Sequence, residues 1–287
     1  MSGIASILKV KNLTKKFGVG CPLCHKSTGV EYNSNVCSHC GTVVACSNVS
    51  FELYSNEILG IVGESGSGKS TLVRLMNFDW EATSGEIYID DTELISRNEE
   101  YHEKNLLSLT SFEKRRLKNS IMGTVYQNPY LGLRMDVSSG GNVAEKLITA
   151  EWRNVQKMRK RASELFNKTE IPPERMDEPP SNFSGGMQQR VQIAKAMSNN
   201  PRILFLDEVT TGLDLSAQAR VLDLIRNLQR EFHVSMIVVS HDLGIIRLLA
   251  SRTMVMKSGR VVESGLTDQI LEDPQHPYTQ LLVNSRL

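Results

Sequence analysis

The run Gly63-Glu64-Ser65-Gly66-Ser67-Gly68-Lys69-Ser70 constrains this 287-residue chain more tightly than any other feature. It matches G-x-x-x-x-G-K-[ST], follows the apolar run EILGIV, and precedes Leu72, Val73, Leu75 and Met76 at helical spacing. A strand that stops in a glycine-rich turn and restarts as a helix aims successive backbone amides at one point, where an anion can sit. Lys69 then reaches the terminal phosphates of a nucleotide, and the Ser70 hydroxyl can ligate magnesium. A glycine-rich turn with an incidental lysine would not need the strand before it and the helix after it. The expectation is a nucleoside triphosphate site built from Gly63 through Thr71.

The remaining segments fit an α/β chain. ILKVKNL, NVSFEL and GEIYID read as strands, and RILFLDE and SMIVVSHD as buried parallel strands, apolar almost throughout and polar at their ends. Between the last two, LSAQARVLDLIRNLQREF predicts a helix with Leu215, Ala219, Leu222, Ile225 and Leu228 on one side. Residues from Phe112 to about Lys168 are more polar and carry helical stretches, which suggests a helical subdomain set into the α/β core. IPPERMDEPPSNF, with four prolines, is a connector; GGMQQRVQIAKAMSNN resumes as a helix, and TMVMKSG with RVVESG predicts a late hairpin.

Composition narrows the class. With 40% hydrophobic residues and a net charge of +1, the chain can bury a sizeable core and is poorly suited to coating nucleic acid. No stretch reaches about 18 apolar residues, and the first residues lack a basic region followed by an apolar one, so the expectation is a cytoplasmic protein without membrane insertion.

Three polar residues close the two buried strands. Asp207 ends ILFLDE where it can hold magnesium, Glu208 beside it can orient or deprotonate an attacking water, and His241 after MIVVS is a candidate γ-phosphate contact. Together with Ser184-Gly185-Gly186-Met187-Gln188, these motifs resemble the nucleotide-binding domain of the ATP-binding cassette superfamily. The resemblance spans about residues 8–17 and 43–273. It implies a P-loop NTPase fold with an antiparallel β-subdomain and a helical subdomain at about 112–195, binding ATP and Mg2+. It further implies that Gln127 of VYQNP links metal to the helical subdomain, that Phe17 stacks adenine, and that Asp214 of GLD contacts a second cassette. Ser184 to Gln188 would face ATP held by the other member of a pair, so the expected unit is a homodimer or a pairing with a second cassette. One departure is Val209, where cassettes usually place proline after the glutamate.

All five cysteines lie between Cys21 and Cys46. Cys21-x2-Cys24-x12-Cys37-x2-Cys40 has the spacing of two knuckles that close a tetrahedral Zn2+ site, and glycines nearby permit the bends. A dithiol or iron–sulfur role is the alternative. The expectation is a zinc-ribbon-like insertion at 18–42 suited to protein docking, with Cys46 in the core and His25 and His39 off the metal.

The ending Glu272-Asp273-Pro274-Gln275-His276-Pro277-Tyr278-Thr279 resembles that of oligopeptide and nickel importer ATPases and of the K-component family of bacterial carbon–phosphorus lyase ATPases. QNPYLGLRMDVSSGGNVAE, FSGGMQQRVQIA and VVESGLTD favour the second. That resemblance implies a soluble enzyme complex like the carbon–phosphorus lyase core as partner, in phosphonate metabolism. An importer subunit is the alternative, and the activation component of methyl-coenzyme M reductase a further one. The charged segment Arg97 to Lys118 and the cysteine insertion depart from the usual lyase component.

Overall fold

The computed structural model describes residues 6–90 and 103–285. Part of the charged Arg97–Lys118 segment, residues 97–102, lies outside them. The chain forms two compact units, Met1–Lys114 with Ile237–Leu287 and Arg115–Met236. Its strands are β1 (Ser6–Phe17), β2 (Val43–Tyr54), β3 (Ile58–Val62), β4 (Ser84–Ile89), β5 (Met122–Val125), β6 (Ile203–Asp207), β7 (Ser235–Val239), β8 (Arg252–Lys257) and β9 (Arg260–Leu266).

In the first unit β1 is the centre of an antiparallel sheet, flanked by β2 and β4. Leu8, Val10 and Leu13 of β1 and Ile87 and Ile89 of β4 turn into its core. A second, mixed sheet pairs β3 parallel to β8, with β9 returning antiparallel along β8 as the late hairpin expected from sequence. Every residue of β3 is buried, which is why its run is continuous rather than alternating. The helix Lys69–Met76 follows and buries Leu72, Val73, Leu75 and Met76. Near the chain's end, Glu263 of β9 accepts hydrogen bonds from the amides of Gln275 and His276, at 2.8 and 3.0 Å, and the His276 ring accepts the Tyr278 amide to start the helix Pro277–Asn284.

The second unit is mainly helical, with β5 parallel to β6. Each of five helices starts at a polar cap: Asn128, Ser138, Asn154, Ser184 and Asp214 all accept a hydrogen bond from an amide in the first turn. The helix Leu215–Phe232 corrects one expectation. Leu215 is 84% exposed and Ala219 is also exposed, whereas Val221, Leu222, Leu224, Ile225 and Leu228 form the buried stripe. The first turn is held by the Asp214 cap instead of by burial, so the apolar spacing continued past the point where the core ends.

Candidate functional site

The glycine-rich turn is built to leave no room for side chains behind it. Gly63 has φ 152°, and a Cβ there would lie 2.1 Å from the Met256 carbonyl; Gly68 has φ 105°, and its Cβ would lie 2.2 Å from the Ala45 carbonyl. Both neighbours are backbone, so neither can move aside cheaply. Gly259 donates its amide to the Ser67 carbonyl at 3.0 Å and braces the loop from the β8–β9 turn. The Lys69 ammonium is buried and donates to the carbonyls of Gly63 and Glu64, each at 2.8 Å, which holds the cation within the curve of its own loop. Glu64, Ser65 and Gly66 are exposed at the tip, and Ser70 and Thr71 are half-buried at the helix start.

His241 belongs to the same unit. Ser240 donates its amide to the Ile61 carbonyl at 3.1 Å, which fixes the end of β7 two residues short of Gly63 on the adjoining strand. Phe17 ends β1, 39% exposed, edge-on to Trp80 at 5.3 Å between ring centroids, with the Lys15 ammonium 5.0 Å from its ring. Its exposed ring is available for stacking, which a core position would have prevented.

The second unit carries the other sequence-selected residues. Asp207 ends β6 with 6% exposure, and Glu208 after it has φ 49°, a left-handed conformation that costs a non-glycine residue energy and so points to a constrained role. Val209 is buried, so its side chain is used for packing where a proline is usual in cassettes. Ser184 and Gly185 are exposed at the start of the helix Gly185–Ala196; Ser184 caps it by accepting the Met187 amide at 3.4 Å. Gly186 and Met187 are half-buried, and Gln188 turns back to donate to the carbonyls of Pro180 and Phe183. Asp214 caps the next helix through the Ala217 amide at 2.8 Å. The exposed Gln127 is held by its backbone, its carbonyl accepting from Gln189 at 3.0 Å.

Sequence reasoning missed the residues that fix this last loop. Gln192 accepts the Tyr126 amide at 2.6 Å and donates to the Tyr126 carbonyl at 3.1 Å and to Gln189 at 2.9 Å. Both glutamines are buried, at 2% and 1% exposure. Their three-residue spacing on one helix face was the available signal.

The four cysteines of the insertion converge. Their sulfurs all lie within 4.8 Å of one another, with Cys21–Cys24 and Cys21–Cys37 at 3.7 Å and Cys24–Cys40 at 3.5 Å. A tetrahedron of zinc–sulfur bonds of about 2.3 Å has edges of about 3.8 Å, so the donor set fits zinc. The knuckles are closed by backbone: Cys24 donates its amide to the Cys21 carbonyl and Gly41 to that of Cys37. The Ser27 hydroxyl, 3.2 Å away, and backbone amides draw the Cys37 thiol down to about 6 and Thr42 lowers Cys40, whereas burial pushes Cys21 up to about 12. Burial pushes Cys46, outside the cluster, up to about 12, as suits a core thiol. His25 pairs with Ser47 at 3.1 Å and His39 is exposed, neither belonging to the sulfur cluster.

A P-loop between a buried strand and a helix, a mixed sheet and a helical subdomain define an ATP-binding cassette ATPase, and the chain belongs to the ABC transporter family, whose profile matches residues 46–211. It is 47% identical over 241 residues to PhnK of Escherichia coli, an ATP-binding protein named for phosphonates utilization, covering 84% of this chain and 91% of that one. It is 38% identical over 247 residues to the oligopeptide transport ATP-binding protein OppD of Bacillus subtilis, covering 85% and 67%. Among solved structures it resembles the cassette MJ0796, a dimer in a post-hydrolysis state bound to ADP and Pi, with TM-score 0.73, 28% identity, and coverage of 91% and 99%. Among the described residues no helix is long and apolar enough to cross a membrane.

Proposed function

We propose that this chain is a cytoplasmic ATPase that pairs with a second cassette around MgATP and uses the cycle to remodel a carbon–phosphorus lyase-like enzyme complex. The observation that carries the partner is the 47% identity to PhnK across 91% of that protein's length. In this reading the cassette spans the chain, residues 18–42 are a zinc-ribbon-like insertion, and 112–195 are the helical subdomain.

The amides from Gly63 to Thr71 wrap the phosphates, and Lys69 exchanges its loop carbonyls for phosphate oxygens. Phe17 stacks the adenine. The Ser70 hydroxyl, the Asp207 carboxylate and the Gln127 amide oxygen are hard donors of the kind Mg2+ takes. When bound, that ion neutralises charge building on the β- and γ-oxygens. Glu208 accepts a proton from a water that attacks the γ-phosphorus; the bond to the bridging oxygen breaks, leaving ADP and phosphate. His241 contacts the γ-phosphate, and Ser184 to Gln188 of the opposing chain present a helix N-terminus to it, with Asp214 at the contact between chains. Nucleotide that bridges two chains stabilises the pair by mass action, and hydrolysis releases it. Cys21, Cys24, Cys37 and Cys40 hold Zn2+ in a closed site with no position for substrate.

Phosphate release from wild type against Lys69→Ala tests the site, and equal rates would overturn it. Light scattering of Glu208→Gln tests the pair: mass doubles on adding MgATP, and a monomer under both conditions contradicts it. Proteins co-purified from native cells identify the complex. The C-terminal His276-Pro277-Tyr278 segment and the relation to OppD support a second reading, an importer subunit, and recovery of membrane permeases alone would favour it.

A further inference from the structure

The cysteine insertion is joined to the phosphate loop by three separate struts. At the first, Asn35, two residues before Cys37, donates its side-chain amide to the Gly66 carbonyl at 3.4 Å, while its own carbonyl accepts the Val44 amide at 2.7 Å. At the second, Val44 packs with Cys24 and Cys37 in a small buried cluster. The next two residues of β2 lie behind the loop: the Ala45 carbonyl occupies the space where Gly68 would carry a Cβ, and the Cys46 thiol donates to the Gly68 carbonyl at 3.6 Å. At the third, the Arg260 guanidinium donates to the carbonyls of His25 and Thr28, at 2.8 and 3.0 Å. Arg260 adjoins Gly259, whose amide supports Ser67.

The module has almost no core of its own. Cys24 and Cys37 are its buried cluster members, and its regular structure is one turn, Val30–Tyr32. A segment this short draws its folding free energy from the metal it binds. Two states, folded with metal and loosened without it, therefore differ in the positions of Asn35, which bonds to the loop that cradles the nucleotide, and of Val44, which precedes the Ala45 and Cys46 that lie against it. A ligand that favours the folded state at one end must favour it at the other, because coupling between two sites is reciprocal.

We propose that the four-cysteine insertion is a metal-dependent brace on the phosphate loop: metal at the cysteines strengthens nucleotide binding at Gly63–Ser70, and nucleotide slows metal loss. This rests on the reading of the cysteines as a zinc site and the loop as the ATP site, and each is checked separately. Metal content of the full-length protein by mass spectrometry, near one zinc per chain, tests the first, and binding of a fluorescent ATP analogue to the zinc-loaded protein tests the second.

With both in place, the coupling is read in two directions. Stripping zinc with a chelator should weaken binding of the analogue about tenfold, and zinc transfer to a colorimetric chelator should slow to a similar degree when ATP is added. Asn35→Ala should keep its zinc, bind the analogue about threefold more weakly, and lose part of the ATP effect on zinc release. If the stripped protein unfolds, the zinc-release comparison and the loaded Asn35→Ala protein still decide the matter. A zinc-release rate unaffected by saturating ATP, with analogue affinity unchanged in Asn35→Ala, would overturn the proposal while leaving both sites standing.

Discussion

Glu64, at the exposed tip of the phosphate loop, donates its backbone amide to the hydroxyl of Tyr278, 2.9 Å away and 214 residues later in the chain. Tyr278 is 8% exposed, and the Lys257 ammonium sits 4.7 Å from its ring centroid. The C-terminal His-Pro-Tyr segment is therefore part of the loop's support. Tyr278→Phe keeps the ring and removes the hydroxyl. The expected outcome is a stability loss of roughly 1 kcal/mol, seen in urea midpoints, with a several-fold rise in the apparent Kd for ATP.

Gln192 holds the loop that carries Gln127. Gln192→Leu preserves bulk but takes from the half-buried Tyr126 amide the side-chain oxygen it donates to, and leaves the Tyr126 carbonyl with Gln189 as its glutamine donor. The cost should be about 2 kcal/mol or more, measured by denaturant unfolding. Phosphate release should fall as well, since Gln127 loses its fixed position. An unchanged midpoint would show that Tyr126 finds other partners.

Lys146 gives a pH signature. Burial, with Lys118 and Lys195 nearby adding repulsion, holds this ammonium at about 7 instead of 10.5, and it donates to the Met122 carbonyl at 2.6 Å. Between those two values the unfolded chain binds a proton that the folded chain has shed. This group's contribution to stability therefore rises with pH across the window, and the deficit is complete below about 7. Lys146→Met removes the slope. The variant's advantage over wild type should be greatest near pH 7 and shrink toward pH 10, around a pH-independent offset from the lost bond to Met122.

Asp214 has a local task, capping its helix, besides the contact between cassettes expected from its family resemblance. Asp214→Ala should cost about 1 kcal/mol, whereas Asp214→Asn should unfold at nearly the wild-type midpoint because asparagine caps equally well. If the carboxylate also serves the pair, Asp214→Asn combined with Glu208→Gln should dimerise less readily on MgATP than Glu208→Gln alone.

How far each feature could be read from sequence follows the range of its physics. The phosphate loop, β3 and the cysteine knuckles are local: spacing, glycine placement and continuous apolar runs specify them within a dozen residues. Leu215 shares the helix's apolar periodicity yet lies outside the buried stripe, because periodicity reports which face is apolar and not where the core stops. The links from Tyr278 to Glu64, from Asn35 to Gly66 and from Arg260 to the insertion join distant segments through backbone groups. Backbone amides and carbonyls are the same at every position, so such links leave little trace in residue identity.

Phe17 stands opposite Val43 in the β1–β2 register, so the chain leaves the sheet for the insertion and rejoins it at a single rung. Side chains along a strand alternate faces, and a strand shifted by one residue would turn its buried set outward. An excursion that starts and ends on the same rung avoids that penalty whatever its length, and longer loops add only a slowly growing closure cost. The cysteine segment can thus be gained, lost or exchanged between lineages while β1, β2 and the strands beyond them keep their alignment.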